Sequence, residues 1–447
     1  MDDDAERAPE VLAEEEPDAL RRRGALRAGV AAAALGAAGW ALAGCGPVRA
    51  AHATAATVPP TGGAFDVRAY GAVGDGQHDD TVAIQQAIAA AQKAGGGVVY
   101  LPQGAYVVSA QLGIAASGVT LQGAGTGATT IKVASGYSNG DVVRFSNLAG
   151  GAVRDLTIAA PAQRAGGAAV HMATAREIHV RDVNMTNMYV GVLIDGTCVL
   201  NYIDGGYWVN FTSGGVGVWI NTSGNDQYIS NLVINNTATP SAEPLAGLRI
   251  QGSGAVWCHQ CDMIHAQNGL LIDPPSGSNV TWCFFTDCAW DTCGYRCMMI
   301  NPASGATVRG INFENCWSST AQTFDGCYIS GPTDGVQFVG HRFFNNKGNG
   351  LLVVGPAANV FVDASGASGN NRGSSGSSGI AFTGNCSWFA VRNSRAGAYS
   401  GFGVSQANGI LVNAGCDNYI LTGNITHGNQ VGISDAGGPT KVVADNL

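Results

Sequence analysis

Charge is scarce in this chain: Asp, Glu, Lys and Arg together make up 12% of its 447 residues, against 46% hydrophobic ones. With few ion pairs to draw on, burial of apolar surface must carry the stability, and the length is ample for a large core. Beyond residue 45 the chain holds 18 bases against 23 acids, a mildly negative balance with no Lys/Arg stripe, so nucleic acid is not an expected partner. Also missing are a glycine loop ending in G-K-[ST], a D-x-[DN]-x-[DN]-G ladder and a G-x-S-x-G turn. Their absence removes the phosphate cradle, the EF-hand calcium loop and the serine nucleophile elbow, and no cofactor is implied. Past residue 110 hardly any helical period is found, which argues against bundles and alternating βα folds.

What is present is repetition. "NGLLI" at Asn268, "NGLLV" at Asn349 and "NGILV" at Asn408 open three strands in the same way, and "SGIAF" at Ser378 is a looser copy. Val256, Val280, Val308, Val336 and Val360 follow one another at intervals of 24 to 28 residues. That period suits a solenoid turn of two or three short strands, and the chain reads as an all-β parallel β-helix. Coils stacked about 4.8 Å apart would place aliphatic, Cys and Phe columns inside and Asn and Gly at the corners, where positive φ is needed. Ahead of the coils, Ala83, Ile84, Ala87, Ile88 and Ala91 share one face of a short helix, with Asp79 or Asp80 as its N-cap and Gly95-Gly96-Gly97 as its stop. Such a helix, spanning Asp79 to Lys93, would cover the open end of the first coil, and Val98 to Leu101 reads as a buried strand.

The stretch "FDVRAYGAVGDGQHDDTVAIQQAIAAAQKAGGGVVYLPQGAYVV" resembles the amino-terminal signature of the pectate-lyase-like superfamily, which includes polygalacturonase-related and rhamnogalacturonase-like enzymes and phage tailspikes. The resemblance is specific over residues 65–125 and diffuse to Leu447. It implies a right-handed, single-stranded parallel β-helix over residues 64–447, with residues 65–125 as cap and first coils, and a polysaccharide as partner. A homotrimer is one assembly it allows. It marks the cap rather than the chemistry. The N-T-D, D-D, G-H-G, R-I-K order of polygalacturonases is not reproduced: Asp79-Asp80 lies in the cap, and "RIQ" at Arg249 precedes "GHR" at Gly340. The R-x-P-x-x-R of calcium-dependent pectate lyases and the Y-G-[FI]-D-P-H of alginate epimerases are missing as well.

Candidate chemistry comes from laying the coils over one another on their valines. Asp262 and Glu314 stand six positions past Val256 and Val308, and Asp287 stands seven past Val280, which places three carboxylates near one azimuth. Neighbouring coils would hold such groups about 5 Å apart and next-but-one coils about 10 Å, the separations glycosidases use. His341 and Asp291 could assist as acid or base, while Asp287 has a second reading as a corner residue stacked on Asn315. Trp257, Trp282, Trp290 and Trp317 fall in the same coils as platforms for sugar rings, and Arg296 or Arg342 could neutralise a uronate. Asp195, Asp204 and Asp226 read as turn makers. The expectation is a glycoside hydrolase; a lyase of the same fold and a non-catalytic polysaccharide-binding β-helix are the alternatives.

Two further features concern processing and cysteine. Arg21-Arg22-Arg23 with "GALRAG", followed by an Ala/Gly-rich run to Ala43, resembles a twin-arginine export signal, and "LAGC" resembles a lipobox that would lipidate Cys45. Residues 1–45 are then a signal and 46–63 a linker, giving an exported protein held in the cell envelope by the lipid on Cys45. Cleavage after Ala51-His52-Ala53 would instead release it to the periplasm or exterior. Eleven cysteines remain after Cys45, an odd number that precludes complete pairing. "CHQC" at Cys258 has no following C-x-x-C or H-x(3 to 5)-H, so no metal is expected and the cysteines are assigned to the core.

Overall fold

The computed structural model describes residues 64–236, 242–374, 376–399 and 406–447. The export signal, Cys45 and the linker therefore lie outside the described residues. From Ala64 onward short strands follow one another, and among the described residues they pair only in parallel. One coil is built from Asn268–Ile272, Asn279–Thr286 and Ala289–Asp291, and the next from Arg296–Ile300, Thr307–Glu314 and Trp317–Ser319. Strands of the first kind stack into a thirteen-stranded sheet; the second and third kinds line the other two faces of the solenoid.

Sequence sets each bend. Between second and third faces the chain turns at one residue of positive φ, coil after coil: Asn231, Gln260, Asp287, Asn315, Gly340, Ala364, Asn393 and Gly423. The residue after each points inward and is buried, namely Leu232, Cys261, Cys288, Cys316, His341, Ser365, Ser394 and Asn424. Asn and Gly predominate at the bend because the left-handed region costs them least. The "NG" openings have a steric cause. A Cβ on Gly269 would come within 2.8 Å of the Cys297 carbonyl of the next coil and 2.7 Å of the Trp290 indole, so only hydrogen fits there.

Inside, Phe285, Phe313 and Phe338 stack at 4.9 Å between ring centroids, the rise of the coil itself. At the amino end Thr81–Lys93 is the expected helix, and the same five residues, Ala83, Ile84, Ala87, Ile88 and Ala91, are buried against the first coils. Asp79 accepts the Thr81 N–H at 3.0 Å. Asp80 occupies the N-cap position with its carbonyl accepting the Ile84 N–H at 3.0 Å but no side-chain bond to the helix; its carboxylate instead receives the Val73 and Gly74 N–H groups at 2.7 and 3.2 Å and fixes the preceding loop.

The valine overlay does not hold throughout. Val280 stacks on Val308, but Val256 stacks on Cys283, and Val336 on Ile311. The reason is a second bend inside the long strands, at Trp282 and Gly310, both of positive φ. It separates two inward columns three residues apart, and a valine can belong to either.

Candidate active site

The shift in register takes Asp262 away from the other two carboxylates, and the corner divides Asp287 from Glu314. Glu314 ends a second-face strand between Thr286 and Val339; Asp287 is the exposed bend residue, its N–H bonded to the Glu314 carbonyl at 3.0 Å; Asp262 begins a third-face strand and pairs with Val233 and Ala289. Asp287 is thus a corner stacked beside Asn315, the alternative reading. Asp291 is buried and accepts the Ser319 and Thr292 hydroxyls at 3.0 Å each. His341 cannot serve a surface site: it is fully buried among Phe313, Phe338 and Phe343, and burial pushes it down to about 3.

The tryptophans divide similarly. Trp290 is a core residue in edge contact with Phe285 and Phe313. Trp257 is 40% exposed, but both ring faces are taken by Tyr228 at 6.2 Å and Phe284 at 4.3 Å, so it shows an edge rather than a platform. Trp282 is exposed and lies over Gly310, where a Cβ would approach its ring to 2.6 Å. Trp317, half-buried, tilts on Phe344 at 5.1 Å. Arg296 sits between Phe324 and Tyr328 at 4.6 and 4.5 Å, with Asp325 at 3.6 Å, and Arg342 is exposed on the third face beside Trp317 and Gly366.

A denser constellation lies elsewhere, on the first face near the cap. In Ala168–Ala173 the alternation sends Val170 and Met172 into the core and His171 outward. On the coil before, Asp141 precedes Val143–Ser146, the strand that carries Arg144; on the coil after, Asp195 is near the end of Val190–Gly196. The side chains converge. His171 Nδ1 is 2.6 Å from Asp141 Oδ2 and its Nε2 2.9 Å from Asp195 Oδ1, the latter close in distance though off the hydrogen-bonding line. Arg144 Nη1 reaches Asp141 Oδ2 at 2.9 Å, and the Ala168 N–H donates to Asp141 Oδ1 at 3.0 Å. Behind them the buried Arg164 donates to the Gly140 carbonyl at 2.7 Å and braces the segment bearing Asp141.

Electrostatics follow from this geometry. Burial alone would lower the His171 pKa, yet the two carboxylates outweigh it and hold the imidazole above its ordinary value. Burial would raise Asp141, but His171, the Ala168 N–H and Arg144 together keep it below the usual carboxylate range. Asp195 and Arg144 are the partly open members, at 38% and 35% side-chain exposure, whereas His171 is at 6% and Asp141 at 11%. One residue past Asp195 begins a cleft of about 570 Å³ lined by Gly196, Asn221, Ser223, Asn225, Ser278 and Asn279, uncharged hydrogen-bonding groups of the kind that hold sugar hydroxyls. Sequence reasoning passed over this group because Asp195 looked like a turn maker. The one available signal was a histidine at an outward position of an otherwise apolar strand.

Comparison with known proteins agrees with the architecture. Residues 64–239 match the family model "Rhamnogalacturonase A/epimerase, pectate lyase-like", and residues 216–396 match "Right handed beta helix region". Alginate lyase 7 of Azotobacter vinelandii is 53% identical over 79 residues, 16% of this chain and 9% of that protein. Plasmin and fibronectin-binding protein A of Streptococcus pneumoniae is 65% identical over 46 residues, 10% of this chain and 6% of that protein. The match therefore spans under a tenth of either relative. The A-module of the Azotobacter vinelandii mannuronan C-5 epimerase AlgE4 superposes with a TM-score of 0.60 at 19% identity, covering 85% of this chain and 99% of the module. Two overlapping family models and an all-parallel solenoid beneath them make the chain a member of the pectate-lyase-like superfamily of right-handed parallel β-helix proteins.

Proposed function

We propose that the chain is a polysaccharide-active enzyme that works on an acidic polysaccharide by removing a proton beside a uronate carboxylate, as a lyase does, at Asp195, His171, Asp141 and Arg144. The observation that carries the reading is His171 set between two carboxylates, one of them a single residue along the strand from an uncharged polar cleft. Arg144 faces the uronate carboxylate and offsets the charge that develops as the neighbouring C–H is deprotonated. Asp195, the most open carboxylate, takes the proton; the electron pair left behind forms the C=C bond as the neighbouring glycosidic C–O bond breaks, water protonates the departing oxygen, and His171 and Asp141 hold the orientation of Asp195. Retaining or inverting hydrolysis fits less well here, because it needs two carboxylates free to reach the glycosidic bond, and the Asp141 oxygens are occupied by Ala168, Arg144 and His171. The names of two relatives, an alginate lyase and a mannuronan epimerase module, point to the same substrate class.

The test is a panel of uronate and neutral polysaccharides, followed for unsaturated uronate absorbance and for new reducing ends. Absorbance that disappears in Asp195→Asn and persists in Glu314→Gln supports the proposal. Reducing ends without absorbance, lost in Glu314→Gln, return the protein to the hydrolase reading with its carboxylates on the other face. Silence in both, with retardation in a polysaccharide gel, makes it a binding protein. Export through residues 1–45 and lipidation of Cys45 complete the proposal; membrane partition of the full chain that is lost in Cys45→Ala checks both.

A further inference from the structure

The "CHQC" pair does acquire a partner, though not from a second motif. Cys258 and Cys261 flank the bend of one coil, and Cys288 occupies the same bend position as Cys261 one coil on. Their sulfurs lie within 4.8 Å of one another, with Cys258 and Cys288 at 3.7 Å, and each residue is at most 2% exposed.

Corner packing explains part of this. In later coils the residue after the bend donates to the carbonyl two positions back, as Ser365 does to Asp363 at 2.8 Å and Ser394 to Arg392 at 2.9 Å. Cys261, Cys288 and Cys316 make the same contact at 3.4, 3.4 and 3.3 Å. A hydroxyl would do that work at a shorter distance, and corner packing does not account for Cys258. Cys258 stands in an inward column whose next members are Phe285, Phe313 and Phe338, where a small thiol gives up packing. What Cys258 adds is a third sulfur. Ligands about 2.3 Å from a shared tetrahedral ion sit about 3.8 Å apart, and the Cys258–Cys288 pair is already at 3.7 Å.

We propose that Cys258, Cys261 and Cys288 bind one thiophilic d10 cation, zinc or copper(I), which clamps two consecutive coils together. An all-sulfur donor set favours these ions over oxygen-seeking magnesium or calcium. Burial leaves no open position for substrate, so the role is structural. The three sulfurs would bind as thiolates, so uptake of the ion releases thiol protons. Cys316 follows Cys288 in the column but stands outside the three-sulfur group, its thiol on the Phe285 carbonyl at 3.3 Å; it is the thiolate zinc would have to recruit as a fourth ligand, whereas copper(I) is satisfied by three.

The experiment loads the reduced full chain with zinc, and separately with copper(I) under anaerobic conditions, then measures metal content after gel filtration. About one ion per chain is expected. It should be lost in Cys258→Ser and Cys288→Ser and kept in Cys386→Ser; loss of zinc alone in Cys316→Ser identifies copper(I) as the three-thiolate ligand and zinc as the four-thiolate one. Cobalt(II) loading of the wild-type chain adds a thiolate charge-transfer band that does not depend on any variant folding. A folded wild-type chain that retains neither ion and shows no such band overturns the proposal, as does one ion per chain persisting in both serine variants.

Discussion

Glu243 illustrates how a single carboxyl can make stability depend on pH. It is 1% exposed, one of its oxygens lacks a hydrogen-bond partner, and burial pushes it up to about 7, with the Gly294 N–H opposing. The folded chain holds this proton more tightly than the unfolded one, so stability contributed by the group is present below 4.5 and falls as the pH rises to about 7. The loss amounts to about 3 kcal/mol at most. Urea denaturation of Glu243→Gln at a series of pH values should show that slope removed. His171 and Asp141 work in opposite senses. The raised imidazole stabilises the fold below its ordinary 6.5 and loses that contribution as pH climbs through the folded value; the lowered carboxylate contributes above its ordinary 3.8 and loses it as pH falls through the folded value. The pair is therefore complete in the interval between, and activity should decline on the alkaline side as His171 discharges. Asp195→Asn should cost about 10²- to 10⁴-fold in rate, measured as unsaturated uronate release, while Glu314→Gln leaves the rate within error.

At the scale of a coil, bends and stacked side chains do the specifying. Asn315 takes a φ of 51° at the corner between second and third faces. Asn315→Gly should change stability by only a few tenths of a kcal/mol, whereas Asn315→Val should cost about 1–2 kcal/mol, because a branched Cβ collides with its own backbone in that region. Chemical denaturation distinguishes them. On the second face, His179, Tyr202, Tyr228, Trp257 and Phe284 stack outward across five coils at centroid distances of 4.3 to 6.2 Å. Each ring covers its neighbours, so this column acts as an external ladder. Trp257→Ala should cost about 1–2 kcal/mol and leave polysaccharide turnover unchanged.

For the whole molecule, the weak point is the end of the solenoid. A coil edge offers unpaired N–H and C=O groups and an open core, and Thr81–Lys93 covers both at the amino end with Ile84 and Ile88 fully buried. Ile88→Asp places a charge against the first coil and should give a chain that aggregates on expression, detectable by light scattering. Ile88→Val should remain monodisperse and lose about 1 kcal/mol.

The cap and the coil were legible from residues alone because both rest on local chemistry. Five apolar residues at helical spacing, Asn and Gly where φ is positive, and "NG" where a Cβ would strike the next coil are each decided within a few positions of the chain. Register was not legible in the same way. A second bend at Trp282 and Gly310 creates two inward columns, and a column three residues off puts Asp262 on the third face, away from Glu314. Nor could the chain alone pair Asp141 with His171 and Asp195, or bring Cys288 to Cys258 and Cys261, since these contacts join residues 24 to 30 apart through the exact number of residues in each turn. Sequence determined what each coil is made of; stacking the coils decided which side chains meet.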